Sequence, residues 1–289
     1  MYQEDNLRLR LYADRTLRII DFTLDDARLK TRCPLDNDHQ YSTQSQYSAG
    51  RLDMLPPEIT ISILLALDVP TLTTFRRVNR WAMGLVNSLH PYTMVLKHCP
   101  NVLRAIISIN ADSFDCHALY RVLRSQKCET CNRFGSYLYL ITCRRVCYFC
   151  FTSHVDYLPV TVAYAMKYTE LSKQELVRMP SVSSLPGRYT PFAKLSKERF
   201  LLFDRQAVLS RAPDASIQYD RRIQQQDRKT NETRRYASII SAPSLGPSGQ
   251  SADWGYYCIG CREDKEPATH FRIKYTTDDI LDHLERHHG

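Results

Sequence analysis

Two thiol pairs, Cys128-x2-Cys131 and Cys147-x2-Cys150, stand 15 residues apart in the stretch CETCNRFGSYLYLITCRRVCYFC, and nothing else in the chain restricts the fold as tightly. A CxxC turn aims two sulfurs at one point, and two such turns complete a tetrahedron around an ion held by bonds of about 2.3 Å. The spacing is that of a structural four-thiolate zinc site. SYLYLIT between the pairs reads as a strand that returns the second pair to the first. Cys143 shares strand parity with Tyr137, Tyr139 and Ile141 and is assigned to that apolar face; a Cys143-x3-Cys147 ligand pair is the alternative. His154, four residues after Cys150, is a spare ligand candidate, although a histidine so placed is more often a surface residue.

The rest of the chain sets the redox context. There is no apolar run of 18 residues, so no span of a membrane is expected. The start, MYQEDNLRLRLYADR, lacks a signal-peptide core. The reading is an intracellular protein of the cytoplasm and/or nucleus, where thiols stay reduced. Ten cysteines there imply metal ligands or buried thiols rather than a disulfide frame. Redox chemistry would set CxxC between a strand and a helix of a βαβ unit, whereas CETC follows the helical RVLRSQK. A cysteine nucleophile needs a positioned histidine base, for which there is no signature. No catalytic residue is assigned, and the chain is read as not an enzyme. A RING-type ligase module is disfavoured, because 107 residues separate Cys150 from the next thiol pair.

That pair, Cys258-x2-Cys261, precedes TDDILDHLERHHG, which reads as a short helix capped by Thr277. His283 and His287 are four apart, on one helical face. Cys258, Cys261, His283 and His287 form a Cys2His2 set, with His288 or His270 as substitutes. The count expected is two structural zinc ions, whether each cluster keeps its own ligands or the clusters exchange them. Such a site invites a DNA-binding reading, but Asp278, Asp279, Asp282 and Glu285 on the same helix would repel phosphates.

Upstream, LDMLPPEITISILLALDVPTLTTFRRVNRWAMGLVNSL spaces Ile59, Ile63, Leu64 and Leu67, then Leu72, Phe75, Val78, Trp81, Leu85 and Val86, by threes and fours. This spacing predicts amphipathic helices. Pro56 and Pro57 suit a helix entrance, Glu58 complements its dipole, and Thr71 caps the helix after DVP. YTMVLKHC, NVLRAIISI and SFDCHALYRVLRS continue helical, with Cys99 and Cys116 as buried small hydrophobes. Ser172 and Glu175 form a capping box. The expected fold is α+β and mainly α. Residues 1–50 form a partly flexible extension, with Leu7, Leu9 and Leu11 alternating as in a strand, Cys33 an unpaired thiol, and 36–50 a polar linker. Residues 98–212 make a helical, cysteine-rich region, and 213–252 a basic mobile insertion too poor in aromatics for a nucleic-acid groove. Residues 253–289 make the C-terminal zinc module.

Leu55-Pro56-x-Glu58-Ile59, then Leu64 and Leu67, then Leu72-x-x-Phe75-x-x-Val78-Asn79 and Trp81 resemble an F-box over residues 51–97. The resemblance implies a helical module that docks on a Skp-type adaptor, and through it on a cullin. It implies Leu55, Pro56, Ile59, Ile63, Leu64, Leu67, Leu72, Phe75, Val78 and Trp81 as the adaptor-binding residues. Together with the 128–150 stretch, SSLPGRYT, WGYYCIGC and the histidine-bearing terminal helix, the chain resembles a large family of F-box proteins abundant in filamentous fungi. Members often end in a ligand-like histidine and cysteine; here His287 or His288 stands in the cysteine's place, so the fourth ligand stays open. The implied role is a substrate receptor of an SCF-type ubiquitin ligase, binding an unknown protein substrate. The competing reading is a zinc-containing nucleic-acid-binding or regulatory protein, suggested by the net charge of +8 and the three CxxC pairs.

Overall fold

Prolines and short polar caps decide where the helices begin. The structure, a computed structural model, describes residues 9, 11–17, 19–35, 50–169, 171–191, 195–211, 233–247, 249–263 and 270–288. After a short α1 (Leu29–Arg32) come α2 (Pro57–Ala66), α3 (Val69–Arg76), α4 (Arg80–Ser88), α5 (His90–His98), α6 (Pro100–Ile109) and α7 (Cys116–Arg124). Four of these carry proline in the first turn, where the missing N–H costs nothing. Side chains of Asp68, Asn79 and Asp115 accept hydrogen bonds from Thr71, Ala82 and Ala118 N–H and cap α3, α4 and α7. Asp68 therefore takes the capping place expected of Thr71, because Val69 and Pro70 already belong to the first helical turn.

Helix α2 departs from the amphipathic expectation. Only Thr60 and Leu64 are buried, while Ile59, Ile61 and Ile63 face outward. Apolar residues run around the whole helix, a pattern that suits burial on all sides. The other helices are conventional: Leu72, Val86, Tyr92, Val95, Leu103, Ile106, Leu119 and Leu123 point inward into one core. Cys99 and Cys116 lie in it, and burial pushes both thiols up to about 12.

Strands are short and sit among these helices, so the fold is a mixture of helix and small sheets. In the sheet that matters most for the site, β2 (Tyr137–Tyr139) pairs antiparallel with β3 (Arg144–Val146) on one side and β7 (Ile239–Ser241) on the other. Leu138, Tyr139, Ile239 and Ile240 are fully buried, which joins the cysteine-rich segment to the helical core. Helix α8 (Tyr148–Ser153) packs on the main core, whereas a second sheet, β4 (Val160–Thr161), β6 (Leu201–Phe203) and β5 (Ser181–Ser183), gathers α9 (Val162–Thr169), α10 (Lys173–Val177) and α11 (Arg205–Ser210) around it. Its small separate core is built on Val160, Leu176, Phe203 and Val208. The Ser172–Glu175 capping box forms as read. β8 (Ser244–Leu245) pairs with β9 (Ala252–Asp253). The last sheet orders β1 (Ala13–Asp14), β10 (Tyr256–Cys258) and β11 (Lys274–Tyr275).

Two sequence expectations give way here. Residues 235–245, expected within a mobile insertion, pack into the core. Arg235 is buried and donates to the Phe151 and His154 carbonyls, and β7 follows directly. Residues 212–232 lie outside the described residues, as do 36–49. The strand expected around Leu7, Leu9 and Leu11 is also corrected: Leu9, Leu11 and Tyr12 are helical, and only Ala13 and Asp14 pair as strand. Alternation over so few residues fits a helical turn as well. Leu7 lies outside the described residues, and Cys33 is a buried free thiol. No helix among the described residues is long and apolar enough to cross a membrane.

Candidate metal centres and an apolar face

The first thiol pair follows α7 in a tight turn. Cys128 N–H donates to Arg133 O (2.7 Å), Asn132 N–H returns to Cys128 O (3.0 Å), and Asn132 adopts the left-handed conformation that closes the turn. Glu129 N–H bonds Arg145 O (2.9 Å), which ties this turn to β3. The second pair straddles the β3–α8 junction, with Cys147 at the N-cap and Cys150 in the first turn. The ligand atoms of Cys128, Cys131, Cys147 and Cys150 all lie within 4.8 Å of one another, and Cys131 and Cys147 sulfurs are 3.5 Å apart. A tetrahedral ion with sulfur bonds of about 2.3 Å spaces its ligands by about 3.8 Å, so the quartet fits. Cys128 is held below the usual thiol range, chiefly by the hydrogen bond from Cys147, whose own thiol is pushed up in turn. Burial pushes Cys150 up to about 12. A bound dication would favour the thiolate form of all four sulfurs.

Cys143 stands apart. It sits in the β2–β3 turn with φ of 52°, buried, its thiol pushed up to about 12 by burial. It is core, as assigned, but from a turn rather than from strand parity. His154 caps the following turn through its Nδ1, which accepts from Asp156 N–H. It is not among the clustered ligands.

A residue that ligand spacing could not reveal holds this centre. The Arg145 guanidinium is buried and donates to five carbonyls, those of Val122, Leu123, Gly135, Ala242 and Pro243. It clasps the end of α7, the first thiol turn and the chain after β7. Gly135 makes room for it, since a Cβ there would meet the Arg145 Cγ at 2.5 Å.

The second centre forms where β10 ends at Cys258, α12 (Gly260–Glu263) carries Cys261, and α13 (Thr277–His288) carries His283. These three are buried with ligand atoms within 4.8 Å, and Cys261 Sγ lies 3.1 Å from His283 Nε2. The His283 ring stacks on Tyr275 at 4.5 Å. Thr276, not Thr277, caps α13, its hydroxyl accepting from Asp279 N–H. His287, assigned as fourth ligand from its spacing, stands outside the buried trio: one turn further along α13 it is exposed, its ring 4.7 Å from that of His283. The His270 ring is 5.7 Å from His283. Both flank a cleft of about 480 Å³ reached also by Cys131, which is exposed. Among the described residues the two groups are separate sets, one of four ligand atoms and one of three. Both groups can hold a metal ion.

The residues implied as adaptor-binding divide by burial. Leu55 (36% exposed), Ile59 (48%), Ile63 (40%) and Val78 (68%) lie on the surface, with Pro56 beside them. Leu67, Phe75 and Trp81 are half-buried. Leu64 and Leu72 are core residues and so cannot meet a partner. Met54 and Ile61 are exposed members of the face that the motif did not single out.

Comparison with protein-family models, with curated proteins and with solved structures finds no match for this chain.

Proposed function

We propose that the protein is an F-box-type substrate receptor of a cullin ubiquitin ligase. Residues 51–97 dock on a Skp-type adaptor, and the metal-stapled remainder receives a protein substrate. The observation that carries this reading is the outward apolar run of Met54, Leu55, Ile59, Ile61, Ile63 and Val78. A helix with three isoleucines facing solvent is stable and soluble when a partner covers it. Both metal groups are read as structural zinc sites, one ion in each. Four thiolates around an ion leave no open position for water, so that centre supplies folding energy rather than chemistry.

The nucleic-acid reading finds less support, because Asp278, Asp279, Asp282 and Glu285 are all exposed on α13 and outnumber its one exposed cation outside the histidines, Arg286. Direct titration of purified chain with a Skp-type adaptor tests the proposal. Wild-type protein should bind, and Leu55→Ala with Pro56→Ala should abolish binding while the metal content stays at two ions. Failure of the wild type to bind would falsify the assignment.

A further inference from the structure

Nine of the ten cysteines are buried, and Cys131 is exposed. It belongs to the four-thiolate group, and its sulfur lies 3.5 Å from that of Cys147. The turn that carries it is anchored on both sides. Cys128 N–H donates to Arg133 O, Asn132 N–H donates to Cys128 O, and the Thr130 hydroxyl meets that of Tyr157 at 2.6 Å. The sulfur is thus exposed from an ordered turn rather than a frayed one. It opens on the cleft of about 480 Å³ where Arg133 and Lys274 stand against Asp279 and Asp282. A cleft carrying both signs of charge suits a small neutral reagent. In the C-terminal group, by contrast, Cys258 is 1% exposed and Cys261 and His283 are each 7% exposed.

We propose that Cys131 is an oxidation site for a small hydroperoxide such as hydrogen peroxide, resolved by Cys147 as a disulfide that dismantles the first metal centre. This rests on the reading of that centre as a zinc site. Sulfur oxidation follows thiolate character and access. A metal ion keeps all four ligands in the thiolate form, and of the four Cys131 is the accessible one. The Cys131 thiolate attacks one peroxide oxygen, the O–O bond breaks, and hydroxide leaves a sulfenic acid behind. The Cys147 thiolate then attacks that sulfur, forming the S–S bond and expelling a second hydroxide. Solvent protons convert both hydroxides to water. Two electrons pass from the two thiolates to the peroxide. Cys128 and Cys150 are left as half of a ligand set. Because β3 and α8 join this centre to the main core, its loss loosens the whole protein, while the buried C-terminal group is spared.

The test exposes full-length, zinc-loaded protein to hydrogen peroxide, follows zinc release with a chromogenic chelator, and maps disulfides by mass spectrometry. One ion of the two should be released, with a Cys131–Cys147 disulfide and a lowered melting temperature, and dithiothreitol with added zinc should restore both. Cys131→His keeps four ligands in a Cys3His set but removes the exposed sulfur. It should release zinc at least about tenfold more slowly, since the remaining sulfurs are shielded. Limiting iodoacetamide on the wild type reads the same point should that variant fold poorly: Cys131 should be labelled first. Equal release from both centres, wild-type rates in Cys131→His, or first reaction at a buried thiol such as Cys143 overturns the proposal. Zinc that is present but inert to peroxide sinks this inference alone. Protein purified without zinc in the first centre sinks the zinc reading and this inference with it.

Discussion

The two candidate metal centres share a ligand chemistry and differ in what surrounds them. The four-thiolate centre is woven into the main core. β2 pairs with both β3 and β7, and Arg145 ties its turn to five carbonyls from three regions of the chain. The C-terminal centre rests on a small cluster of its own, in which the buried residues are Cys258, Cys261, Ile280 and Leu284. Two of those four are the ligands themselves. In the first centre a metal adds to a core that already exists; in the second the ligands are half of the core. A metal can contribute on the order of 10 kcal/mol to a small unit, far more than two aliphatic side chains supply. The first centre should therefore fail globally and the second locally.

The largest effect is expected for Cys131→Ser. Losing that thiolate should release one ion and lower the melting temperature of the whole protein, because the destabilised turn is continuous with the main core. Elemental analysis and calorimetry on the same sample measure both. A normal melting transition with one ion missing would mean that the centre is peripheral after all.

Next comes Arg145→Ala. It leaves five buried carbonyls without their donor and opens a cavity, at a cost of about 3–5 kcal/mol. Denaturant unfolding reads this directly. A loss below about 1 kcal/mol would show that water replaces the guanidinium. Burial holds Arg145 below its ordinary value, at about 10, yet still charged at neutral pH. Arg145→Met therefore sharpens the comparison, since it fills the space but restores no donors.

Cys261→Ser should cost one ion with a much smaller change in global melting. Hydrogen exchange should quicken at Tyr256–Cys258 and along α13, while protection at Tyr137–Tyr139 persists. Loss of protection in both places would erase the distinction between the centres. The same protein settles the fourth ligand: His287→Ala and His270→Ala compared for zinc content should show one of them, not both, losing about one ion.

The smallest effect belongs to Cys143→Ser. The thiol is buried in a turn outside the ligand group, so the metal count should stay at two. Placing a hydroxyl there costs about 1–2 kcal/mol of stability. An ion lost from Cys143→Ser but kept in Cys147→Ser would replace the ligand set with the Cys143-x3-Cys147 pair.

What could be read from sequence depended on the range of the interaction concerned. Ligand spacing in CETC and CYFC, proline in first turns, and the Ser172–Glu175 box act over a few residues, so their geometry is written where they stand. The three buried ligands Cys258, Cys261 and His283 were legible for the same reason, while the fourth depends on how His270 and α13 are brought together. Burial was the weak point. Leu55, Ile59 and Ile63 share a spacing with Leu64, yet only Leu64 points into the core, because helix neighbours, not period, choose which apolar side is covered. β7 was hidden because three residues flanked by arginine, serine and proline carry no period; pairing with β2, about a hundred residues away, makes them a strand. The buried arginines were invisible for a related reason. Arg145 and Arg235 are paired to carbonyls that converge only after the chain has folded. Local chemistry was determined by the sequence alone; which faces are covered, and which polar groups meet, was decided by tertiary packing, because solvent exclusion depends on contacts the sequence order does not display.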